Sequence, residues 1–250
     1  MRVDYDQIAA TYDHHRSGGG PGLDALAAAA RSCGGGRFLE LGAGTGNNTR
    51  ALLERVAGSV VALEPSREMA AQGRAKGLDA RWVRGVGERL PLADGAFDFV
   101  YGAYMLHYIR DLAALFGECR RVLRPGGRAA FITVPTDFIE EHPLRGYFPS
   151  IPRVDLARFQ PLDAVADAMV AAGFRDVTVT VETSPPHPVD AAYVRKVEGR
   201  IISTFELLPP GEFEAGLARL KADLARGTLD VAVHRAAATV SGRREAVETP

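Results

Sequence analysis

The chain has 250 residues, 46% hydrophobic and 24% charged, ordinary values for a globular protein and enough for one large α/β domain. Its net charge of −1 offers no general field for nucleic acid or an anionic membrane surface. Two cysteines, Cys33 and Cys119, lack Cys-x-x-Cys or histidine spacing, so reduced thiols in the cytoplasm are expected, with no metal site.

An N-terminal arm, residues 1–20, carries YDHHR and the glycine-rich run that follows it, and its first residues, MRVDYDQIA, do not read as an apolar signal region. A helix is predicted over 22–32, with Leu23, Leu26, Ala27 and Ala30 on one face. The run RFLEL, residues 37–41, reads as a strand, and Gly42, Gly44 and Gly46 then precede a helix over 47–57. Such a turn lets backbone approach a ligand where a Cβ would collide. It also sets the free N–H groups of a helix start beside the ligand. A nucleotide-like cofactor is the first expectation; an ordinary tight turn is the bland alternative. The dinucleotide fingerprint G-x-G-x-x-G requires a glycine where Asn47 stands. The carboxylate of Glu40 would repel a pyrophosphate but suits an ammonium or sulfonium group. The pattern E-x-G-x-G-x-G, with Ala43 inside it, therefore points away from NAD and toward S-adenosylmethionine.

The apolar run SVVAL, residues 59–63, has the character of a buried parallel strand and ends in Glu64, 18 residues after Gly46. A carboxylate there can accept both ribose hydroxyls. Pro65 and Ser66 open a helix over 66–76, with Ser66 as N-cap. Strands near 80–84 and 97–101 follow. Asp111 caps a helix with Leu112, Leu115, Phe116, Cys119 and Leu123 on one face; Pro125-Gly126-Gly127 stops it before the strand RAAFITV. The apolar stretch 96–109 is broken by acid, glycine and histidine, so no membrane span is expected. Residues 135–160 are rich in proline and aromatics, with Phe138, Tyr147, Phe148 and Phe159. A helix over 161–172 leads to a strand in which Val177, Val179 and Val181 alternate with threonine, a half-buried pattern. Residues 184–227 read as helical, Phe213, Leu217, Leu220 and Leu224 sharing a face, before a last strand near 230–240 and a tail, 241–250, that frays after Arg244. Repeated β–α units imply a doubly wound, mostly parallel sheet with right-handed crossovers and ligands at the carboxyl ends of its strands.

The segments YDQIAATYDHHR, LELGAGTGNNTR, VALEPS, GVGERLPLADGAFDFVYGAYMLHYIRD and CRRVLRPGGRAAFITV, in that order over residues 1–134, resemble class I S-adenosylmethionine-dependent methyltransferases. The similarity is to the small-molecule type grouped with ubiquinone- and biotin-pathway enzymes. It covers somewhat more than half the chain and is loose beyond residue 181. It implies a single domain, 1–250, with a Rossmann-like, mostly parallel seven-stranded sheet and a helical cap insertion. It also implies S-adenosyl-L-methionine as cofactor and a small-molecule methyl acceptor. By resemblance, Tyr12 and Arg16 of the arm close over the methionine end, Arg16 pairing with its carboxylate; a solvated arm residue is the alternative. Relatives of this type place Gly-Asp-Ala at the adenine, where this chain has Gly85, Val86 and Gly87. Val86 offers only backbone and apolar contact, so the adenine amine needs another acceptor or water. Glu88 is close in sequence, though in the family it more often faces a helix end. Tyr101 and Ala103 would touch the cofactor at a strand end. His107, in YMLHYI, stands nearest the transferred methyl, as a general base or as a packing residue; His14 is a second candidate base. A base is required only where the nucleophile must lose a proton. Segments 135–160 and 184–227, including a helix at about 189–207, are expected to cap the acceptor pocket, against the alternative of completing the core or a dimer face. A monomer and a homodimer are both compatible with the sequence. The competing functions are a non-methylating S-adenosylmethionine-binding protein (cyclase, decarboxylase or regulatory subunit) and an RNA or protein methyltransferase.

Overall fold

The computed structural model describes residues 3–16, 18–34 and 36–246. The arm winds through α1 (Tyr5–Ile8), a 3-10 turn (Ala9–Thr11) and α2 (Tyr12–His15). Helix α3 (Leu23–Arg31) leads into β1 (Arg37–Leu41), α4 (Asn47–Leu53), β2 (Ser59–Leu63), α5 (Arg67–Ala75), β3 (Ala80–Val83), β4 (Phe97–Ala103), α6 (Leu112–Val122) and β5 (Leu123–Thr133). Then come α7 (Thr136–Glu140), α8 (Ile151–Leu156), α9 (Leu162–Ala171) and β6 (Phe174–Thr183). The last elements are β7 (His187–Pro188), α10 (Ala191–Glu198), a 3-10 segment (Ser203–Leu207), α11 (Glu212–Arg226), β8 (Ala232–Val233) and β9 (Ala236–Arg244). Ser66, Asp111 and Asp190 cap α5, α6 and α10 by accepting the N–H groups of Met69, Ala114 and Tyr193.

Seven strands form one sheet in the order β3-β2-β1-β4-β5-β9-β6. Strands β1 to β5 are parallel, and β9 inserts antiparallel between β5 and β6. This is the expected mostly parallel, doubly wound sheet of seven strands. The chain leaves β1 toward one edge and builds β4 and β5 on the other side, so a crevice opens where the order reverses.

The two-residue period of the strands divides their side chains between two cores. Leu39 and Leu41 pack with Leu115, Phe116 and Cys119 of α6 and Val165 and Met169 of α9. Phe38 packs on the opposite face with Leu26 and Ala30 of α3 and Leu52 of α4. A third core lies outside the sheet layers, where Phe148, Val194, Phe205, Phe213 and Leu220 bury one another. The Phe148 ring lies 4.9 Å from Phe205 and 5.9 Å from Phe213. This cap lobe is built from segments 135–160 and 184–233, which do not follow the β–α repeat.

Several boundaries differ from expectation. Helix α4 ends at Leu53 rather than near 57, because the chain must turn at Gly58 against Phe38, where a Cβ would come within 2.4 Å of the ring. Helix α6 stops at Val122, before the proline, and Pro125-Gly126-Gly127 forms a bulge inside β5: Leu123 pairs with Phe97 and Arg128 with Phe99. Strand β6 is an edge strand, not half-buried, with Val179 43% and Val181 53% exposed; alternation does not reveal whether a helix covers the face. The helix expected over 189–207 is divided, since α10 ends at Glu198 and Arg200 adopts a left-handed φ of 53°. Residues 241–244, expected in the tail, belong to β9, with Ser241 and Arg243 paired on both sides. Residues 1, 2 and 17 of the expected arm and 247–250 of the expected tail lie outside the described residues. Among the described residues no helix is long and apolar enough to cross a membrane.

Candidate active site

The carboxyl ends of β1 to β5 open into one cavity of about 1150 Å³. That is larger than the roughly 300–1,000 Å³ of a pocket for one small ligand, leaving room for a cofactor and a second molecule. After β1 the chain turns through Gly42 and Gly44, with left-handed φ of 66° and 56°. A Cβ on Gly42 would stand 3.0 Å from Met105 Cβ. Gly42, Ala43 and Gly44 all line the cavity. Gly46 lies outside the lining: it starts α4 at φ 78°, and a Cβ there would come within 2.4 Å of Leu78.

Glu64, at the tip of β2, is 6% exposed and lines the same cavity. Its Oε2 accepts the Gly44 N–H at 2.8 Å and its Oε1 the Ser66 N–H at 2.9 Å. One carboxylate thus fastens the glycine loop to the start of α5, and each oxygen retains lone-pair capacity. Burial pushes its pKa up, against the two backbone donors that stabilise the ionised form. Pro65, Gly87 and Val86, the last 49% exposed, continue this wall, as does Ala103 at the end of β4. Glu88 also lines it, with Oε1 accepting the Arg110 N–H at 3.1 Å just before α6.

Glu40 and Tyr101 are placed differently from expectation. Glu40 is 1% exposed, lies outside the lining, and accepts the hydroxyls of Thr49 and, at 2.8 Å, Tyr101. Burial raises its pKa to about 7, because those two bonds only partly compensate lost hydration. Tyr101 is fully buried, its ring 5.6 Å from Phe99. Strand alternation turns both side chains into the core beneath α3 and α4, behind the loop rather than into the cavity.

The arm crosses the cavity mouth as a strap. Asp13 accepts from Thr45 at 2.6 Å and Asn47 at 2.8 Å and pairs with Lys76 at 2.6 Å, tying the arm to the glycine loop. Tyr12 and Arg16 line the cavity, with the Arg16 guanidinium 4.5 Å from the Tyr12 ring. Arg16, expected on a cofactor carboxylate, instead donates to the carbonyls of Arg200 at 2.8 Å and Ile201 at 2.9 Å, tying the arm to the cap lobe. His14 is exposed on α2 and lies outside the lining.

His107 lines the cavity from the 3-10 turn (Leu106–Tyr108) that follows β4. Its ring lies 4.3 Å from Phe159 and 4.1 Å from Tyr108, and neither ring nitrogen has a hydrogen-bond partner. Burial, assisted by the charge of Arg158, lowers its pKa to about 3, so the imidazole is neutral at neutral pH. Phe138, His142, Tyr193 and His234 line the same cavity, the Phe138 ring 6.1 Å from His142 and 5.1 Å from His234.

The methyltransferase domain family matches residues 39–131, which span β1 to β5 with the glycine loop, Glu64 and His107. Over these residues the chain is similar to S-adenosylmethionine-dependent methyltransferases. It is 36% identical over 141 residues to a demethylmenaquinone methyltransferase of Beutenbergia cavernae, covering 52% of this chain and 58% of that protein. It is 35% identical over 155 residues to a malonyl-[acyl-carrier protein] O-methyltransferase of Methylovorus sp., covering 58% and 52%. The chain therefore spans about half the length of the curated relatives it matches. A crystal structure of a candidate methyltransferase from an antibiotic biosynthesis pathway of Anabaena variabilis aligns at a TM-score of 0.70 and 25% identity, over 87% of this chain and 96% of that one.

Folding brings Tyr12, Arg16, Gly42, Ala43, Gly44, Glu64, Pro65, Val86, Gly87, Ala103 and His107 to one cavity and leaves Glu40, Gly46, Tyr101 and His14 outside its lining. Tyr5, Met105, Asp155 and Thr204 also line it, and none was singled out from the sequence. Tyr5 and Met105 stand within the matching segments but carry no chemical signature of their own, and Asp155 and Thr204 lie outside any motif; the positions of all four depend on contacts remote in sequence. Replacing Arg16 with Ala removes both carbonyl contacts to the cap lobe. Amide hydrogen exchange in residues 3–16 is expected to quicken about tenfold or more, the effect of losing two hydrogen bonds from a charged donor.

Proposed function

We propose that this methyltransferase transfers a methyl group from S-adenosylmethionine to a small molecule enclosed between the sheet and the cap lobe. One observation carries the proposal: a single cavity is lined by the glycine loop and Glu64 together with a group of aromatic and histidine side chains. The donor set fits the cofactor. Glu64 accepts the ribose hydroxyls, and Gly42 and Gly44 admit close backbone approach. Pro65, Val86 and Gly87 flank the adenine, Ala103 adds contact from the end of β4, and Tyr12 covers the methionine end. Glu88, on the same wall, supplies the acceptor for the adenine amine that Val86 lacks. Glu40 and Tyr101 act as positioning residues, bracing Thr49 at the start of α4 and the end of β4.

When bound, the cofactor supplies an electrophilic methyl on a positively charged sulfur. The protein's contribution is alignment and exclusion of water. The strap and cap lobe close the site, and His107 offers one donor and one acceptor nitrogen to orient the acceptor's polar group. Changing His107 to Ala is expected to lower kcat/KM about tenfold or more, with S-adenosylhomocysteine affinity unchanged within about twofold by calorimetry. Because its pKa is about 3, no loss of rate from His107 protonation is expected on acidifying from neutral pH to about 5.

The deciding test is incubation of the protein with methyl-deuterated cofactor and a cell extract. A small product carrying the CD3 group supports the proposal. Tight cofactor binding without labelled product would assign a non-methylating role, and label confined to RNA or protein would reassign the acceptor.

A further inference from the structure

Among the described residues, five buried side-chain nitrogen or oxygen atoms lack a hydrogen-bond partner, and four of them belong to His107 and Arg158. Such atoms are uncommon, because each forfeits its hydration without replacement. His107 lines the cavity and Arg158 stands just behind its wall at Asp155 and Phe159, so a ligand that reached both would satisfy them.

Arg158 follows α8, and its side chain is 9% exposed. Nη2 donates to Asp155 Oδ1 at 2.5 Å and reaches Thr204 Oγ1 at 3.4 Å. The Thr204 hydroxyl contacts Asp155 Oδ1 at 2.9 Å and Oδ2 at 2.8 Å. These contacts orient the guanidinium and balance its charge, and they leave the N–H groups of Nε and Nη1 unused. Asp155, Thr204 and Phe159 line the cavity, so Arg158 stands immediately behind that wall. The Phe159 ring centre lies 5.6 Å from the guanidinium carbon and 4.3 Å from the His107 ring. Arginine and histidine therefore both lie near one aromatic ring of the cavity wall.

The unused groups are mostly donors. Arg158 offers only N–H groups, and a neutral His107 offers one N–H and one lone pair. An amine would leave Arg158 unsatisfied; an oxygen rich in lone pairs would not. Lys196 and Arg235 line the same cavity among carboxylates that include Glu64, Glu88 and Asp155, so the preference rests on the unused donors and not on net charge. We propose that Arg158 and His107 recognise the acceptor, and that it presents them an ionised oxygen, either a carboxylate or an acidic phenol or enol. The proposal rests on the methyl-transfer function above and names its substrate class. In the transfer, a lone pair on that oxygen forms the new bond to the methyl carbon while the sulfur–methyl electron pair returns to sulfur, giving an ester or ether and a neutral thioether. No proton moves, which suits an imidazole as weakly basic as His107.

The test is calorimetry on the protein saturated with S-adenosylhomocysteine at pH 8. Two matched pairs serve as probes: benzoate with benzamide, and 4-nitrophenolate with 4-nitroanisole. At least one anion is expected to bind about tenfold or more tightly than its neutral partner, the two pairs separating carboxylate from phenolate recognition. In the Arg158→Gln/Asp155→Asn variant, which removes both charges together, that preference is expected to vanish while S-adenosylhomocysteine still binds. Arg158→Lys keeps a charge opposite Asp155 but not the Nε–H, and is expected to lose about threefold or more should the double variant fail to fold. Equal binding of charged and neutral probes, no probe binding, or a preference kept in the folded variants overturns the inference. Failure of S-adenosylhomocysteine itself to bind the unaltered protein would instead refute the methyl-transfer function.

Discussion

Glu64→Ala is expected to weaken S-adenosylhomocysteine binding about 100-fold or more, as read by titration calorimetry. The ribose would lose two hydrogen bonds to a charged acceptor, each worth about 1.5–3 kcal/mol. The loop would lose its fastening as well, since Gly44 and Ser66 donate to this carboxylate from the two ends of the cofactor crevice. Their N–H groups would then lack an acceptor, so the thermal midpoint should fall too; binding is measured well below it to separate the effects. Glu64→Gln keeps the shape but offers one acceptor oxygen, and should bind between the two. Undiminished binding by the alanine variant would remove Glu64 from the site.

A second large effect is expected from Glu40→Gln, which should stabilise the protein by about 3 kcal/mol at pH 8 and leave it unchanged near pH 4. Burial raises the Glu40 pKa from 4.5 to about 7, and a shift of that size corresponds to about 3 kcal/mol. The native state holds this proton where the unfolded chain has released it. Stability is therefore fully present below 4.5, falls as pH rises, and has been lost above about 7. Glutamine stays neutral throughout, and its carbonyl oxygen can still accept from Thr49 and Tyr101, as Glu40 Oε2 does. Urea unfolding across that pH range measures the change. A variant as pH-dependent as the parent would show that Glu40 is ionised in the native state.

The two acids illustrate what could be read in the chain. Glu64 follows a run of buried, β-branched residues at a fixed distance from the glycines, and both features are local. Glu40 satisfies the same motif, yet motif and spacing do not say whether its side chain enters the cavity or the layer of α3 and α4. The parity of β1 within the sheet decides that. Arg16 shows a related limit. Its long side chain reaches carbonyls 184 and 185 residues away, a partnership that no local pattern encodes. Arg158 carried no motif at all; its significance arises from two unused donors beside His107 and from Asp155 and Thr204, the latter 46 residues further on.

Period, punctuation and composition were enough to predict the alternating strands and helices, the glycine turn and the acid after β2, because each depends on neighbours within a few residues; the methyltransferase likeness came from the resemblance of whole motifs. The order of strands around β9, the exposed face of β6, the division of the cap helix at Arg200 and the donor-rich end of the cavity were settled only by folding. Those features depend on which surfaces meet, and packing between distant segments sets that, whereas hydrogen bonds within a turn do not.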